Sequence, residues 1–247
     1  MKHQFAFYLQ GLTEIISSLS VGQNLALSDQ TLFHRLFRVV RVAVGDTVIF
    51  FDQQNNVVVE LLAASGKKDF SGVMVKKEQN KKLQPSICFW LPLLKREHFQ
   101  TALYSLAELG VNQIQPVLVQ KGQRKWGGQK EAQRSEKILI AAAEQSKNFS
   151  FPELLEPKTL QECCQDVQSD AKKLFFDPEG QSFSELIPKL QGKALALLVG
   201  PEGDLTETEK KLLQQNNFLF CSLTPTVLRA VQAAAISAGV CRIFLNR

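Results

Sequence analysis

The segment Ala194–Glu209 reads ALALLVGPEGDLTETE. Its apolar first part is typical of a strand that is buried on both faces of a parallel sheet. Gly200 and Gly203 follow, and glycine lets the backbone take positive φ or pass close to a ligand. Thr206 and Glu209 then have the Thr-x-x-Glu spacing of a capping box, which starts a helix. The segment therefore predicts a buried strand, a glycine turn and a capped helix.

The sequence around this segment, from residue 85 onward, alternates predicted strands and helices, which is typical of an α/β domain with a parallel sheet. Such sheets usually bind ligands beyond the carboxyl ends of their strands. The turn Gly200–Gly203 is thus a candidate binding loop, and an ordinary tight turn is the alternative. The predicted strands are Ile87–Leu91, Gln113–Val119, Leu174–Asp177, Ala194–Val199 and Leu219–Leu223. The predicted helices are Lys95–Leu109, Lys130–Gln145, Phe183–Leu190, Thr206–Gln215 and Val227–Phe244.

Residues 1–78 have a different pattern, with short runs of β-branched and aromatic residues that favour strands. The predicted strands are Gln4–Leu9, Thr47–Phe51, Val57–Leu62 and Phe70–Val75. Asp29–Val42 has the apolar spacing of a short amphipathic helix. A small β-barrel with one helix is the economical interpretation. The polar stretch Lys76–Gln84 is predicted to be a linker, which divides the chain into domains 1–78 and 79–247.

The charge of the chain is divided unevenly along its 247 residues. The net charge is +5, with +3 in residues 1–82, +4 in 83–150 and −2 in 151–247. All of the excess positive charge thus lies in the first 150 residues, which suggests a polyanion partner for that part. A basic protein without such a partner is the alternative.

The sequence lacks the signals that are typical of several functional classes. The longest apolar runs, Ile87–Leu94 and Ala194–Val199, are far shorter than the roughly 20 residues of a membrane span. No secretory signal is expected, and five cysteines without a CxxC pair suggest reduced thiols in the cytoplasm. Three scattered histidines give little support for a metal site. The sequence has no Walker loop, GxGxxG or GxSxG motif.

A second candidate loop, Leu223–Arg229, reads LTPTVLR and precedes a helix of small residues. Small residues let another backbone approach closely. We expect Arg229 in the first helical turn, where a positive charge is unfavourable unless it meets an anion. The alternative is a surface arginine in a short loop.

Three further features are candidates for function. Lys121–Lys130 reads KGQRKWGGQK, and its cations and tryptophan are suited to contact phosphates and stack on a base. A mobile, solvated loop is the alternative. Glu108 and Glu144 lie near predicted helix ends, where each is a candidate general base or cap, or simply a solvated acid.

Five motifs in one order carry a family resemblance. They are His34–Arg41 with Val44–Asp46, Glu108–Val111 (ELGV), Ala142–Ser146 (AAEQS), Gly200–Gly203 (GPEG) and Val227–Arg229 (VLR). On these motifs the chain resembles, over nearly its whole length, the bacterial 16S rRNA uridine-N3 methyltransferases of the SPOUT superfamily.

The resemblance implies a PUA-like, RNA-binding β-barrel followed by an α/β methyltransferase domain with a C-terminal trefoil knot. It implies a homodimer, without metal, that methylates N3 of uridine 1498 in 16S rRNA during ribosome biogenesis. S-adenosylmethionine would be held by two knot loops, with contacts from Leu198, Val199, Gly200, Pro201, Glu202, Gly203, Leu223, Thr224, Val227 and Leu228. Arg229 would stabilise the developing uracil anion or hold the nucleotide phosphate, and Glu202 would contact the cofactor or assist proton removal. The expected RNA contacts are Arg35, Arg38, Arg41, Lys121, Arg124 and Lys125.

The chain departs from the family pattern at several positions. Asp204 stands in place of a second glycine, Thr224 in place of a glycine and Thr226 in place of an arginine. Val231-Gln232 replace Glu-Thr, and Asn148 replaces an arginine. Two alternatives follow from these departures: a SPOUT methyltransferase for another RNA nucleotide, or a non-catalytic RNA-binding homologue whose cofactor pocket has decayed.

Overall fold

The computed structural model describes residues 4–122, 124–166 and 170–245; Gln123, in the predicted basic loop, lies outside them. The chain divides into two units. The first extends to Lys81 and includes Ala143–Ser150, and the second contains Lys82–Ala142 and the residues from Phe151 onward. The segment 143–150 therefore belongs to the first unit, although the residues on both sides of it in the sequence belong to the second. No local sequence pattern indicates this division.

The first unit is built on a five-stranded sheet in the order β1-β3-β4-β5-β2. Strand β1 pairs in parallel with β3, and the other pairings are antiparallel. Val57, Val59 and Leu61 are fully buried and alternate with more exposed neighbours, so one face of β4 packs on the core. The elements are β1 (Ala6–Tyr8), α1 (Leu12–Ile15), β2 (Asn24–Ser28), α2 (Gln30–His34), β3 (Thr47–Phe51), β4 (Asn55–Ser65) and β5 (Asp69–Gln79).

The predicted helix Asp29–Val42 consists of two different segments. Asp29 caps α2, because its carboxylate accepts a hydrogen bond from the Leu32 N–H at 2.8 Å. A π-helical segment, Arg35–Val40, follows directly and ends at Arg41, whose φ is +61°. The single regular helix of the prediction was therefore wrong over its second half.

The predicted linker Lys76–Gln84 was also wrong over its first part, because β5 continues to Gln79 and pairs with β4. The charged side chains that indicated a linker lie on a strand with long, mostly exposed side chains. Lys77 donates from Nζ to the carbonyls of Ile16 at 2.7 Å and Leu19 at 3.1 Å. A lysine-rich strand can therefore look like a linker in sequence.

The second unit contains a sheet in the order β12-β10-β11-β6-β7-β8, with β9 also paired to β7, and all its pairings are parallel. The predicted parallel sheet is confirmed. The strands are β6 (Ile87–Pro92), β7 (Gln113–Leu118), β8 (Glu153–Leu154), β9 (Lys158–Thr159), β10 (Lys172–Ser182), β11 (Leu195–Val199) and β12 (Leu219–Ser222). The helices are α3 (Arg96–Glu108), α4 (Gln129–Ser146, whose last four residues belong to the first unit), α5 (Leu160–Asp166), α6 (Phe183–Leu190), α7 (Glu207–Gln215) and α8 (Ala230–Leu245).

The local signals of the opening segment are confirmed. Every residue of β11 is buried, as expected for a strand covered on both faces. Thr206 accepts a hydrogen bond from the Glu209 N–H, and Glu209 accepts one from the Thr206 N–H, which is the predicted capping box. Gly110 follows α3 with φ +72°, in the left-handed conformation that ends helices.

Strand β10 contains an irregularity that the sequence did not indicate. Both Phe176 and Gln181 pair with Cys221, so residues 177–180 bulge out of the ladder. Gly180 lies against β12, where a Cβ would be 2.3 Å from the Cys221 nitrogen. The bulge therefore depends on a residue without a side chain.

Within the described residues, no helix is long and apolar enough to cross a membrane. The five cysteines are free thiols. Among the same described ranges, no group of three or more His, Cys, Asp or Glu side chains is arranged to hold a metal ion.

Candidate active site

A cavity of about 480 Å³ lies at the carboxyl ends of β10, β11 and β12 in the second unit. Three segments form most of its walls: the start of the β10 bulge, the glycine turn after β11, and the loop after β12; α3 and the start of α8 supply the rest. The lining residues are His98, Phe176, Asp177, Pro178, Gly200, Pro201, Glu202, Asp204, Cys221, Leu223, Thr224, Thr226, Val227, Leu228, Arg229, Ala230 and Ala233. The two loops singled out in the sequence thus face one cavity.

The glycine turn is closed by Asp204. The Asp204 N–H donates to the Pro201 carbonyl at 3.0 Å, and its own carboxylate accepts from the Leu205 N–H at 2.7 Å. Asp204 has φ +57°, a conformation that glycine adopts freely and that aspartate tolerates better than most residues. The departure from a second glycine at this position is therefore accommodated by the backbone.

Lys210 on α7 joins two walls of the cavity. Its Nζ lies 2.9 Å from Asp177 Oδ2 in the β10 bulge and 3.0 Å from Asp204 Oδ2 in the glycine turn. Burial alone would lower the pKa of Lys210, but the hydrogen bonds from its ammonium to both carboxylates outweigh burial and raise the pKa above its ordinary value. The lysine thus stays charged and holds the two aspartates together.

Glu202 connects the glycine turn to the start of α3. Its Oε1 accepts from the Lys95 N–H at 3.1 Å and lies 2.9 Å from Nδ1 of His98. Burial alone would raise the pKa of Glu202; hydrogen bonds from His98, from its own backbone and from the Lys95 N–H more than offset that effect and lower the pKa. Glu202 is therefore an ionised acceptor and a weak base.

The loop after β12 continues as far as Arg229. Helix α8 begins at Ala230, so the predicted helix start at Val227 was wrong by three residues. Pro225 and the Thr224 Oγ1 hydrogen bond to the Thr226 carbonyl at 2.7 Å are consistent with a turn there. Arg229 lies at the N-cap, because its carbonyl accepts from the Ala233 N–H at 2.9 Å. Its side chain is exposed on the cavity wall.

Seven of the ten predicted cofactor contacts line the cavity: Gly200, Pro201, Glu202, Leu223, Thr224, Val227 and Leu228. Leu198 and Val199 have fully buried side chains in β11, directly before the turn. Gly203 is exposed, and a Cβ there would lie 3.7 Å from Cβ of Lys121. Arg229 shares the cavity with Glu202, so both predicted catalytic residues lie at one site.

The predicted RNA-contacting residue Arg124 is engaged within the second unit. Its Nε donates to the Leu94 carbonyl at 2.6 Å, and its guanidinium pairs with Glu131 at 2.5 Å. The guanidinium also lies over the Phe99 ring, 4.9 Å from its centroid, and Trp126 meets the same ring edge-on. Lys121 and Lys125, in the same loop, are exposed.

In the first unit, Arg35 is held in the same way as Arg124, by a carboxylate and an aromatic ring. Its guanidinium donates to both carboxylate oxygens of Glu144, at 3.0 and 2.6 Å, and lies over the Phe7 ring. Glu144 also accepts from the Tyr8 N–H at 2.9 Å, so it is neither solvated nor a cap. Glu108 is exposed, and so are Arg38 and Arg41.

Sequence reasoning missed three residues of the cavity region: His98, Asp177 and Lys210. In the sequence, His98 is one of three scattered histidines. It lies in the first turn of α3, just beyond the carboxyl end of β6, and ligands of parallel sheets usually bind at that end. Asp177 carried a signal, since it ends a predicted strand. Lys210 carried none, because a lysine on an exposed-looking helix is usually solvated.

The proteins to which this chain is similar are RNA methyltransferases, and the similarity covers most of the chain. Residues 80–242 match the model of a family described as an RNA methyltransferase domain. Ribosomal RNA small subunit methyltransferase E of Bacillus subtilis (strain 168) is 26% identical over 211 residues, covering 81% of this chain and 82% of the relative. The protein of the same name from Rickettsia conorii is 25% identical over 231 residues and covers 91% of each chain.

The fold has a solved counterpart. The crystal structure of a ribosomal RNA small subunit methyltransferase E from Neisseria gonorrhoeae, bound to S-adenosyl methionine, superposes with a TM-score of 0.84 at 23% identity and covers 98% of both chains. That likeness extends through both units. Because the family model covers well over half of the sequence, the chain belongs to the RNA methyltransferase domain family.

Proposed function

We propose that the chain transfers a methyl group from S-adenosylmethionine to N3 of a uridine in 16S rRNA, with uridine 1498 as the target. The observation that carries the proposal is one cavity formed by the glycine turn and the loop after β12. It occurs in a fold that matches a relative solved with S-adenosyl methionine. The names of the relatives from B. subtilis and R. conorii support ribosomal RNA of the small subunit as the substrate.

The residues present fit this cofactor. Pockets for molecules of its size occupy about 300–1,000 Å³ and have mostly apolar walls. Leu223, Val227 and Leu228 supply apolar surface suited to a flat adenine ring. Glycine at position 200 avoids crowding within the turn, since a Cβ there would lie 3.2 Å from Asp204 Oδ1, closer than an ordinary van der Waals contact. We assign binding to Leu198–Gly203 and to Leu223, Thr224, Val227 and Leu228, with main-chain atoms acting where the side chains are buried.

When bound, the cofactor supplies an electrophilic methyl group. Uridine N3 carries a proton and is a weak nucleophile, so the site must favour the uracil anion that forms as the proton leaves. Arg229 is exposed on the cavity wall, and no carboxylate of the described residues pairs with it. Its charge is thus available to stabilise that anion or to hold the nucleotide phosphate. Glu202, already bound to the start of α3, acts by positioning.

The RNA-binding role divides the six predicted cations. Arg38, Arg41, Lys121 and Lys125 are exposed, and we propose that they contact phosphates. Arg35 and Arg124 are held by carboxylates and by aromatic rings, so we propose that they order the segments that carry the other four. The target base must be unpaired or flipped out, because N3 lies on the Watson–Crick edge.

Three features of the resemblance stay part of the proposal. We propose that the sheet of residues 1–78 closes into a PUA-like, RNA-binding barrel and that residues 79–247 are the SPOUT methyltransferase domain with a C-terminal trefoil knot. The chain is proposed to work as a cytoplasmic homodimer. Exposed apolar residues support a dimer face along the end of the chain: Val227 at 82%, Ile236 at 36%, Ile243 at 73% and Phe244 at 47% exposure. Sedimentation equilibrium of the chain and of Ile243→Glu tests the dimer.

Two measurements test the function. Calorimetry with S-adenosylmethionine should show saturable binding, and its absence would favour a decayed pocket. Small subunits lacking the modification should then gain one methyl group at uridine N3, located by mass mapping. A methyl group on another nucleotide would retain the enzyme class and reject the uridine assignment. Arg229→Ala should lower the methyl-transfer rate by about 100-fold or more, and Arg229→Lys, which keeps the charge, should lower it less.

A further inference from the structure

His98 and Glu202 form a pair on the wall of the cavity. Nδ1 of His98 lies 2.9 Å from Glu202 Oε1. The lowered pKa of Glu202 keeps it ionised at neutral pH, and an ionised carboxylate only accepts hydrogen bonds. The proton of a neutral His98 ring must therefore be on Nδ1, and Nε2 then carries the lone pair.

Nε2 of His98 is free to act as an acceptor. The His98 side chain lines the cavity and keeps 40% of its surface exposed. Within the described ranges, no protein group forms a hydrogen bond with Nε2, whereas Nδ1 is taken by Glu202. An imidazole fixed by a carboxylate, with the other nitrogen open toward a ligand cavity, is the usual geometry of a general base.

The other charged or titratable groups that line the cavity are Asp177, Asp204, Cys221 and Arg229. Both aspartates are paired with Lys210. Burial raises the pKa of the Cys221 thiol to about 12, so the thiol stays protonated. Arg229 is a permanent cation. Among the described residues at this cavity, His98 thus offers a nitrogen lone pair that is suited to accept a proton.

We propose that His98, oriented by Glu202, is the general base that removes the N3 proton of the target uridine. The proposal rests on the proposed function, because only a nucleophile that carries a proton needs a base. Nε2 takes the proton from N3, and the freed electron pair on N3 forms the bond to the methyl carbon. The carbon–sulfur bond breaks with its electron pair on sulfur, which leaves S-adenosylhomocysteine. The imidazolium returns its proton to water.

The first test uses the full chain, saturating S-adenosylmethionine and unmodified small subunits. His98→Asn should lower the single-turnover rate by about 100-fold or more. Its affinity for S-adenosylmethionine, measured by calorimetry, should stay unchanged. Glu97→Gln, an exposed neighbour on the same turn of α3, is the matched control and should keep the wild-type rate. His98→Ala should regain activity with added imidazole, which a purely structural histidine would not do.

The second test does not depend on activity. The chain has three histidines, so the ¹⁵N signals of His98 are assigned by their loss in His98→Asn. The neutral ring should show a protonated Nδ1 and an unprotonated Nε2. A protonated Nε2 would overturn the proposal, as would wild-type turnover by His98→Asn. A wild-type chain that binds S-adenosylmethionine but methylates no uridine would instead reject the proposed function, and the base with it.

Discussion

Arg242 is a buried cation that forms no ion pair with a carboxylate among the described residues, and its replacement gives a sharp prediction about stability. It lies on α8 with 8% of its surface exposed. Nη1 donates to the Pro85 carbonyl at 2.6 Å, and Nη2 donates to the Gly110 carbonyl at 2.5 Å and to Asn112 Oδ1 at 2.7 Å. The last helix is thereby tied to the segment before β6 and to the α3–β7 connection. Arg242→Met keeps much of the side-chain volume and removes every donor.

The magnitude follows from two opposing terms. The Pro85 and Gly110 carbonyls lose their donor, which costs about 1–3 kcal/mol each, while Asn112 Oδ1 keeps the Ile87 N–H at 2.8 Å and loses about 1 kcal/mol, so the three contacts together cost about 5 kcal/mol. The substitution also removes the desolvation of the guanidinium. Burial lowers the pKa of Arg242 from 12.5 to about 10, which corresponds to about 3 kcal/mol of disfavoured charge. Arg242→Met should therefore lower the free energy of unfolding by about 2 kcal/mol.

Urea unfolding followed by tryptophan fluorescence measures this loss. Both tryptophans, Trp90 and Trp126, belong to the second unit, so the signal reports the unit that contains Arg242. Arg96→Met, at an exposed position on α3, should change stability by no more than about 0.5 kcal/mol. If Arg242→Met were as stable as the wild type, the three carbonyl contacts would contribute nothing beyond the cost of burying the charge.

Three other substitutions have defined outcomes. Lys210→Met should leave Asp177 buried without its cation and weaken S-adenosylmethionine binding in calorimetry, whereas Lys210→Arg should preserve most of the affinity; equal affinities would contradict the bridge. Gly180→Ala should lower the melting temperature because its Cβ would clash with β12, while Gly239→Ala, with ordinary contacts, should not. Hydrogen bonds outweigh burial and lower the pKa of Asp52, so its contribution to stability is present above about pH 4 and lost as pH falls through the lowered pKa. Asp52→Asn should thus flatten the acid side of the stability curve in pH-dependent unfolding, and unchanged acid sensitivity would reject this role.

Local patterns account for most of the second unit's elements. The apolar run of β11, the capping box at Thr206 and the glycine after α3 each depend on interactions within a few residues, so the sequence alone was enough. The β10 bulge was missed because it depends on the approach of β12 to Gly180, some forty residues earlier in the chain. The same reason explains why Lys76–Gln79 was wrongly predicted to be a linker. These charged residues form a strand because they pair with β4, which is distant in sequence.

The sequence predicted the two loops of the candidate site, but it did not predict the residues that hold or face those loops, His98 and Lys210. Gly200–Gly203 carries its signal in two glycines, and Leu223–Arg229 carries its signal in Arg229 and in the small residues of the helix that follows. His98 acts through Glu202, 104 residues later in the chain, and Lys210 acts through Asp177, which lies on a different element of the sheet. A polar residue whose partner is distant in sequence looks like any solvated residue until the fold brings the two together.

The prediction of six RNA-contacting cations needs a similar correction. Two of the six, Arg35 and Arg124, are paired with Glu144 and Glu131. Each of these pairs is also covered by an aromatic ring, which fixes the guanidinium in place. Arginines held in this way order a loop or a helix end, and the exposed cations beside them are then presented at lower entropic cost. The number of predicted RNA-contacting cations therefore exceeds the number that we propose as phosphate contacts, because two of the six order the segments that carry the other four.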